Sequence, residues 1–226
     1  MPRHSFKTLK GKIIRHSLSS NHLENNLLGD PNTRELGIYL PENYETSKKQ
    51  YPLFLYLAPF TGSGLKALSW SAFAETLPQR VERLIEEGKM GPAIFVFPDC
   101  FTSLGGNQYI NSEAMGSWAD YIHQEVIPFV DKNYRTKKTK ESRAVFGKSS
   151  GGYGALVYGM KYAQHWGAVA SQSGDMDFNL MYQADFPKVL TKLSQYEGSV
   201  KSFIEKAEKR QKHPRDRNSH PPDPCS

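Results

Sequence analysis

Short apolar segments alternate with longer amphipathic segments along most of the chain. Six apolar segments are typical of strands, over residues 12–18, 35–40, 53–57, 93–97, 144–146 and 168–171. The first alternates weakly between apolar and polar positions, as an edge strand does, whereas the third is apolar throughout, which indicates burial on both faces. Helical patterns cover residues 73–87, 118–132 and 152–163. This alternation predicts an α/β protein with a mostly parallel sheet and helices on both faces.

The pattern changes after residue 171, where no further buried-strand segment follows. Residues 185–212 predict two polar helices. Residues 213–226 contain four prolines and show no periodicity, which predicts disorder. We therefore expect a core over residues 1–212 with no strand after residue 171, followed by a disordered tail.

Composition narrows the class of protein. The 226 residues are enough for one domain with a core, and two cysteines indicate neither a disulfide framework nor a zinc site. We see no signal peptide and no apolar run that could span a membrane, so a cytoplasmic location without a membrane partner is the simpler expectation.

The net charge is +6, and residues 201–226 hold seven Lys/Arg against four Asp/Glu. Because no nucleic-acid motif accompanies this charge, we expect a solvated basic surface rather than a nucleic-acid partner.

The strongest chemical signal is the run Gly147-Lys148-Ser149-Ser150-Gly151, which follows the apolar segment 144–146 and fits G-x-S-x-G. This arrangement is typical of a nucleophile elbow, a sharp turn from strand to helix with the serine at its tip. Glycines on both sides leave room where a Cβ would collide with neighbouring backbone. Ser149 is therefore the candidate nucleophile, and the amide of Ser150, at a helix N-terminus, is a candidate oxyanion donor.

The same residues also resemble the end of a phosphate-binding loop, which would indicate a nucleotide-binding protein. That loop needs a glycine at position 142, where the chain has Ser142, and residues 144–146 are typical of a strand rather than a loop. The nucleotide-binding alternative is therefore disfavoured.

Five segments, one of which contains the G-x-S-x-G run, carry a family resemblance. They occur in the order IYLPENY, YPLFLYL, EVIPFVDKNYR, GKSSGGYGA and SGDMD, over residues 38–44, 51–57, 125–135, 147–155 and 173–177. Together they resemble the putative-esterase family of α/β-hydrolases, which includes the esterase D type S-formylglutathione hydrolases, feruloyl esterases and mycolyltransferases. The resemblance covers roughly residues 11–180.

The resemblance implies hydrolysis of a small carboxylic ester through an acyl-serine at Ser149, without a metal or cofactor. The family usually has a His-Gly or related pair after the second of these segments, where this chain has Ala58-Pro59-Phe60. Proline has no N–H to donate. By position, the second oxyanion donor of the family maps to the amide of Phe60.

The catalytic acid and histidine of the fold follow the serine on later strand ends, and this chain shows no such strands after residue 171. His213 and His220 lie in the predicted tail and are poor candidates for the base, while Asp175 and Asp177 are expected to serve in turns or caps. The chain is therefore expected to be a weak hydrolase at best. Two alternatives stay open, an acyltransferase on the same site and an inactive, truncated relic or binding module.

Overall fold

A six-stranded sheet organises the first part of the chain in the computed structural model, which describes residues 7–212. The strands are β1 (Lys12–Ser19), β2 (Thr33–Leu40), β3 (Leu53–Leu57), β4 (Ile94–Pro98), β5 (Asn111–Ser112), β6 (Gly116–Ser117), β7 (Arg143–Lys148) and β8 (Ala168–Gln172). The large sheet has the order β1-β2-β4-β3-β7-β8, and β5 pairs with β6 in a separate hairpin. β1 and β2 are antiparallel to their neighbours, whereas β4, β3, β7 and β8 run parallel. The predicted mostly parallel sheet is confirmed.

Helices cover both faces of this sheet, as predicted. Side chains of β3 alternate between the faces, because successive residues of a strand point to opposite sides. Leu53, Leu55 and Leu57 join a core with the helical stretch formed by α2 (Trp118–Asp120), a π-helical segment (Tyr121–Val126) and α3 (Ile127–Asn133), and with α4 (Ser150–Lys161). Phe54 and Tyr56 pack on the other face with α1 (Leu77–Glu86).

The start of α1 differs from the sequence prediction of a helix from residue 73. Phe73 has a φ of 58°, outside the helical region. Thr76 instead caps the helix: its hydroxyl accepts from the Gln79 amide at 3.3 Å, and the Gln79 side chain accepts from the Thr76 amide at 2.9 Å. This reciprocal pair satisfies two amides that the first turn of a helix leaves without partners, so the helix begins at Leu77.

The chain divides between Met176 and Asp177 into two compact units, so the predicted core over 1–212 includes parts of both. The second unit contains α5 (Phe178–Met181), a 3₁₀ turn (Gln183–Asp185), α6 (Phe186–Ser194) and α7 (Val200–Lys212). α6 and α7 confirm the two helices predicted over 185–212. Asp177 caps α5 by accepting from the Leu180 amide at 3.1 Å, which is the predicted role. Between residues 173 and 212 the structure has helices and turns but no strand, and the predicted tail, 213–226, lies outside the described residues.

β8 forms an exposed edge of the sheet, since every one of its five residues is exposed. Beside it, an apolar groove of about 340 Å³ opens between α1 and the sheet, lined by residues such as Phe54, Val81, Phe146 and Ala168. None of the described helices is long and apolar enough to cross a membrane.

Candidate active site

Ser149 stands at the tip of the turn between β7 and α4, where the sequence predicts a nucleophile. Its φ of 55° and ψ of −123° lie in a region that residues other than glycine seldom adopt. Its amide donates to the carbonyl of Gln172 at 3.0 Å, and its carbonyl accepts from the amide of Tyr153 at 3.0 Å. Hydrogen bonds to both neighbouring elements therefore hold the strained residue in place.

The two glycines of the motif are required by close packing against the end of β3. A Cβ on Gly151 would lie 2.0 Å from the carbonyl oxygen of Leu57, and a Cβ on Gly147 would lie 2.3 Å from the carbonyl oxygen of Gly151. Neither distance is tolerable between non-bonded atoms. The turn that presents Ser149 therefore forms only because both positions lack a side chain.

The hydroxyl of Ser149 contacts an acid. Ser149 Oγ donates a hydrogen bond to Asp175 Oδ1 at 3.0 Å. Asp175 is 5% exposed, and its Oδ2 accepts from Gln108 Nε2 at 3.2 Å. The expectation of a mere turn or cap role for Asp175 is therefore corrected, because the carboxylate meets the candidate nucleophile directly.

Asp175 reaches Ser149 because β7 and β8 run side by side. Lys148 and Gln172, the last residues of the two strands, are partners in the parallel ladder, so the segments that follow them leave the sheet at the same edge. Ser173 then turns the chain with a φ of 48°. The next residue, Gly174, packs on the first turn of α4, where a Cβ on Gly152 would lie 3.0 Å from the Gly174 Cα.

The turn after β3 carries Phe60, the second predicted oxyanion donor. The Gly62 amide closes this turn by donating to the Pro59 carbonyl at 2.9 Å, and the Phe60 carbonyl accepts from the Gly106 amide at 2.7 Å. The Phe60 amide itself has no acceptor within residues 7–212. Ser150, the other predicted donor, is the first residue of α4, and an amide at that position has no acceptor within its own helix.

Four histidines lie in the described part of the chain, and none of them hydrogen-bonds to Ser149 there. His123 is buried, and both of its ring nitrogens are engaged: Nδ1 donates to the Ala119 carbonyl at 2.7 Å, and Nε2 accepts from Trp166 Nε1 at 3.0 Å. Burial lowers the pKa of His123 to about 4. It serves packing in the core. His213 and His220 lie outside the described residues.

Within residues 7–212, no three His, Cys, Asp or Glu side chains cluster as metal ligands would.

Sequence reasoning did not assign Asp175 or Gln108 to the site. A signal existed for Asp175, since a short segment after the strand parallel to β7 must emerge beside Ser149. Gln108 comes from a long loop after β4 that no periodicity describes, so its approach depends on tertiary contacts. One of these is the hydrogen bond from the Tyr109 hydroxyl to the Ala58 carbonyl, at 2.7 Å.

Comparison with known proteins identifies the family. The family model described as "Putative esterase" matches residues 31–220. The chain therefore belongs to this family, as the motifs predict.

Individual proteins agree with this assignment. The chain is 30% identical over 146 residues to Esterase Rv1288 of Mycobacterium tuberculosis, an alignment that covers 62% of this chain and 28% of that protein. A solved ferulic acid esterase superposes with a TM-score of 0.62 at 22% identity, covering 74% of this chain and 60% of the other. The S-formylglutathione hydrolase FrmB of Staphylococcus aureus gives a TM-score of 0.56 at 17% identity, covering 84% of this chain and 69% of the other. These likenesses show an α/β-hydrolase fold. The chain spans little more than a quarter of the length of that curated relative.

Proposed function

We propose that this member of the putative esterase family hydrolyses carboxylic esters and that Ser149 is its nucleophile. The observation that carries the proposal is the strained backbone of Ser149 at the tip of the β7–α4 turn, with its hydroxyl paired to the buried Asp175. Strain of this kind persists only where the surrounding structure enforces it, and it is concentrated at functional sites.

In the proposed reaction, Ser149 Oγ attacks the ester carbonyl and its proton passes to the carboxylate of Asp175. The amides of Phe60 and Ser150 stabilise the negative charge on the carbonyl oxygen of the tetrahedral intermediate. Collapse of the intermediate breaks the bond to the alkoxide, which takes the proton from Asp175 and leaves as the alcohol, and an acyl-serine remains. Water then attacks the acyl-serine while Asp175 accepts a proton from it; the bond to Ser149 Oγ breaks, the carboxylic acid leaves, and Asp175 returns the proton to Ser149.

We expect this ester hydrolysis to be slow. A carboxylate is a weaker base than an imidazole, and its basicity is less well matched to proton removal near pH 7. Asp175 is the acidic side chain that contacts Ser149 Oγ within residues 7–212, and no histidine there does so. This same observation favours the second candidate function, a module that binds esters without turning them over.

Hydrolysis of p-nitrophenyl acetate by the chain and by its Ser149→Ala variant tests the proposal. We expect slow release of p-nitrophenol that falls to the buffer rate in the variant. Covalent labelling by a fluorophosphonate probe, read by intact mass, separates the two candidates further. A label on Ser149 without multiple turnover supports the binding module, whereas equal release by both proteins and no label contradict a nucleophilic Ser149. The names of the structural neighbours make feruloyl esters and acyl thioesters the next substrates to test.

A further inference from the structure

A cavity of about 530 Å³ opens one residue away from Ser149, on the face of the sheet that carries α1. Its wall includes Lys148 and Gln172, the paired last residues of β7 and β8. The carbonyl of Gln172 accepts the hydrogen bond from the Ser149 amide at 3.0 Å. The cavity therefore borders the backbone that holds the candidate nucleophile.

The lining of this cavity has two parts of different character. Its floor is apolar and partly aromatic, formed by Tyr56, Phe146 and Ala170, and the ring centroids of Tyr56 and Phe146 lie 5.4 Å apart. Its rim carries three cations, Lys66, Arg80 and Lys148.

The one carboxylate in the lining is already neutralised. Glu75 accepts two hydrogen bonds from Arg83, at 2.8 and 3.1 Å, and lies 3.8 Å from Arg80. The hydrogen bond from Arg83 lowers the pKa of Glu75, so this side chain stays ionised and paired. Lys66 and Lys148 have no carboxylate partner among residues 7–212, and their charges are free to act on a ligand.

Lys66 also connects the rim to the predicted oxyanion turn. A Cβ on Gly62 would lie 3.5 Å from Cδ of Lys66, so the stem of the lysine runs along the turn that carries Phe60. The two unpaired lysines thus extend from the 3₁₀ helix Gly64–Leu68, which follows the turn after β3, and from the end of β7.

We propose that this cavity binds the anionic end of the ester substrate and that the enzyme prefers esters whose acyl part carries a carboxylate. The inference rests on the proposed function. An apolar floor with a cationic rim suits an organic anion, because the hydrocarbon part packs on Tyr56 and Phe146 while the carboxylate meets the lysines. A neutral ester would leave the rim charges without a counter-ion, and a cationic ester would be repelled.

The kinetic test compares p-nitrophenyl acetate with mono-p-nitrophenyl succinate, which adds a carboxylate to the acyl part. We expect kcat/KM for the succinate ester to exceed that for the acetate by about 3- to 10-fold at low salt, and the preference to shrink in 0.5 M NaCl. The double variant Lys66→Gln/Lys148→Gln should bring this ratio close to one. A matched double variant, Lys138→Gln/Lys161→Gln, removes the same charge from exposed lysines outside the cavity and should keep the ratio. A ratio that is unchanged in the first variant, or lowered equally in both, overturns the proposal.

A binding measurement separates this proposal from the proposed function. Succinate is titrated into the Ser149→Ala protein, and amide chemical shifts are followed by NMR. We expect shifts at Ser69 and Gln172, which line the cavity, and their loss when Lys66 and Lys148 are also replaced by Gln. If these shifts occur but the chain hydrolyses no ester, the proposed function is contradicted and the anion site is supported. If the chain hydrolyses esters without a charge preference and shows no shifts, the anion site is contradicted and the proposed function is supported.

Discussion

The hydroxyl of Ser149 donates a hydrogen bond to the carboxylate of Asp175, with 3.0 Å between the two oxygens. Asp175 is almost fully buried, and Gln108 satisfies its other oxygen. This contact explains why Ser149, although it stands at the N-cap position of α4, makes no side-chain capping bond to the helix. The side chain is directed to the acid, so its orientation is fixed before a substrate arrives.

Removal of the Asp175 carboxylate should slow the reaction. Because general base catalysis is worth about 10² or more in rate, both Asp175→Asn and Asp175→Ala are expected to lower kcat/KM for p-nitrophenyl acetate by roughly 100-fold. Asp177→Asn is the control, since Asp177 caps α5, and its rate should stay unchanged. An Asp175→Asn protein with the parent rate would show that the carboxylate positions the hydroxyl without accepting its proton.

Substitution of Gly151 by alanine should destabilise the fold. The new Cβ would lie 2.0 Å from the Leu57 carbonyl oxygen, and backbone on both sides must shift to relieve the collision. We expect the free energy of unfolding in urea to fall by about 3 kcal/mol or more. The matched control is Gly91→Ala, where no atom lies within 4 Å of the added Cβ. Equal unfolding free energies for the two variants would contradict the packing argument.

The stability of the fold should depend on the protonation of His123. Burial lowers the pKa of this imidazole from 6.5 to about 4, so the folded state binds its proton less readily than the unfolded chain does. The free energy of unfolding is therefore unaffected by this group above pH 6.5. It decreases as the pH falls towards 4, by up to roughly 3 kcal/mol.

Urea unfolding at pH 7.5 and pH 5 measures this dependence. His123→Gln should flatten it, whereas His22→Gln, which replaces a half-buried histidine outside the core, should leave it as in the parent chain. A parent-like slope in the His123 variant would show that other groups govern the acid response.

The exposed edge at β8 should favour self-association. Charged side chains and proline normally protect an edge strand from pairing with another chain. The five residues of β8, Ala168–Gln172, include neither. We expect Ala168→Lys to reduce light scattering at high protein concentration without a change in the unfolding midpoint. The control variant is Ala163→Lys, which adds the same charge at an exposed position after α4 and should scatter like the parent. Equal scattering by all three proteins would exclude β8 as the association site.

The local sequence pattern was enough to predict those features of the fold that depend only on adjacent segments of backbone. The apolar run of β3 and the glycines around Ser149 predicted a buried strand and a strained turn, because each reflects packing against adjacent backbone. The Ser149–Asp175 pair depends on the register of β7 and β8, which periodicity does not encode. The cationic cavity depends further on Lys66 and Lys148, which are 82 positions apart and are brought together only by the fold.

The tight fit of Gly151 on the Leu57 carbonyl links the chemistry of Ser149 to the folding of the protein. The strained backbone of the serine costs about 1–3 kcal/mol and is imposed only when β3, β7 and α4 are docked together. If this docking is lost, Ser149 relaxes to an ordinary serine with an ordinary, unreactive hydroxyl. Covalent labelling of this one side chain would therefore report the fraction of molecules in which β3, β7 and α4 are docked together.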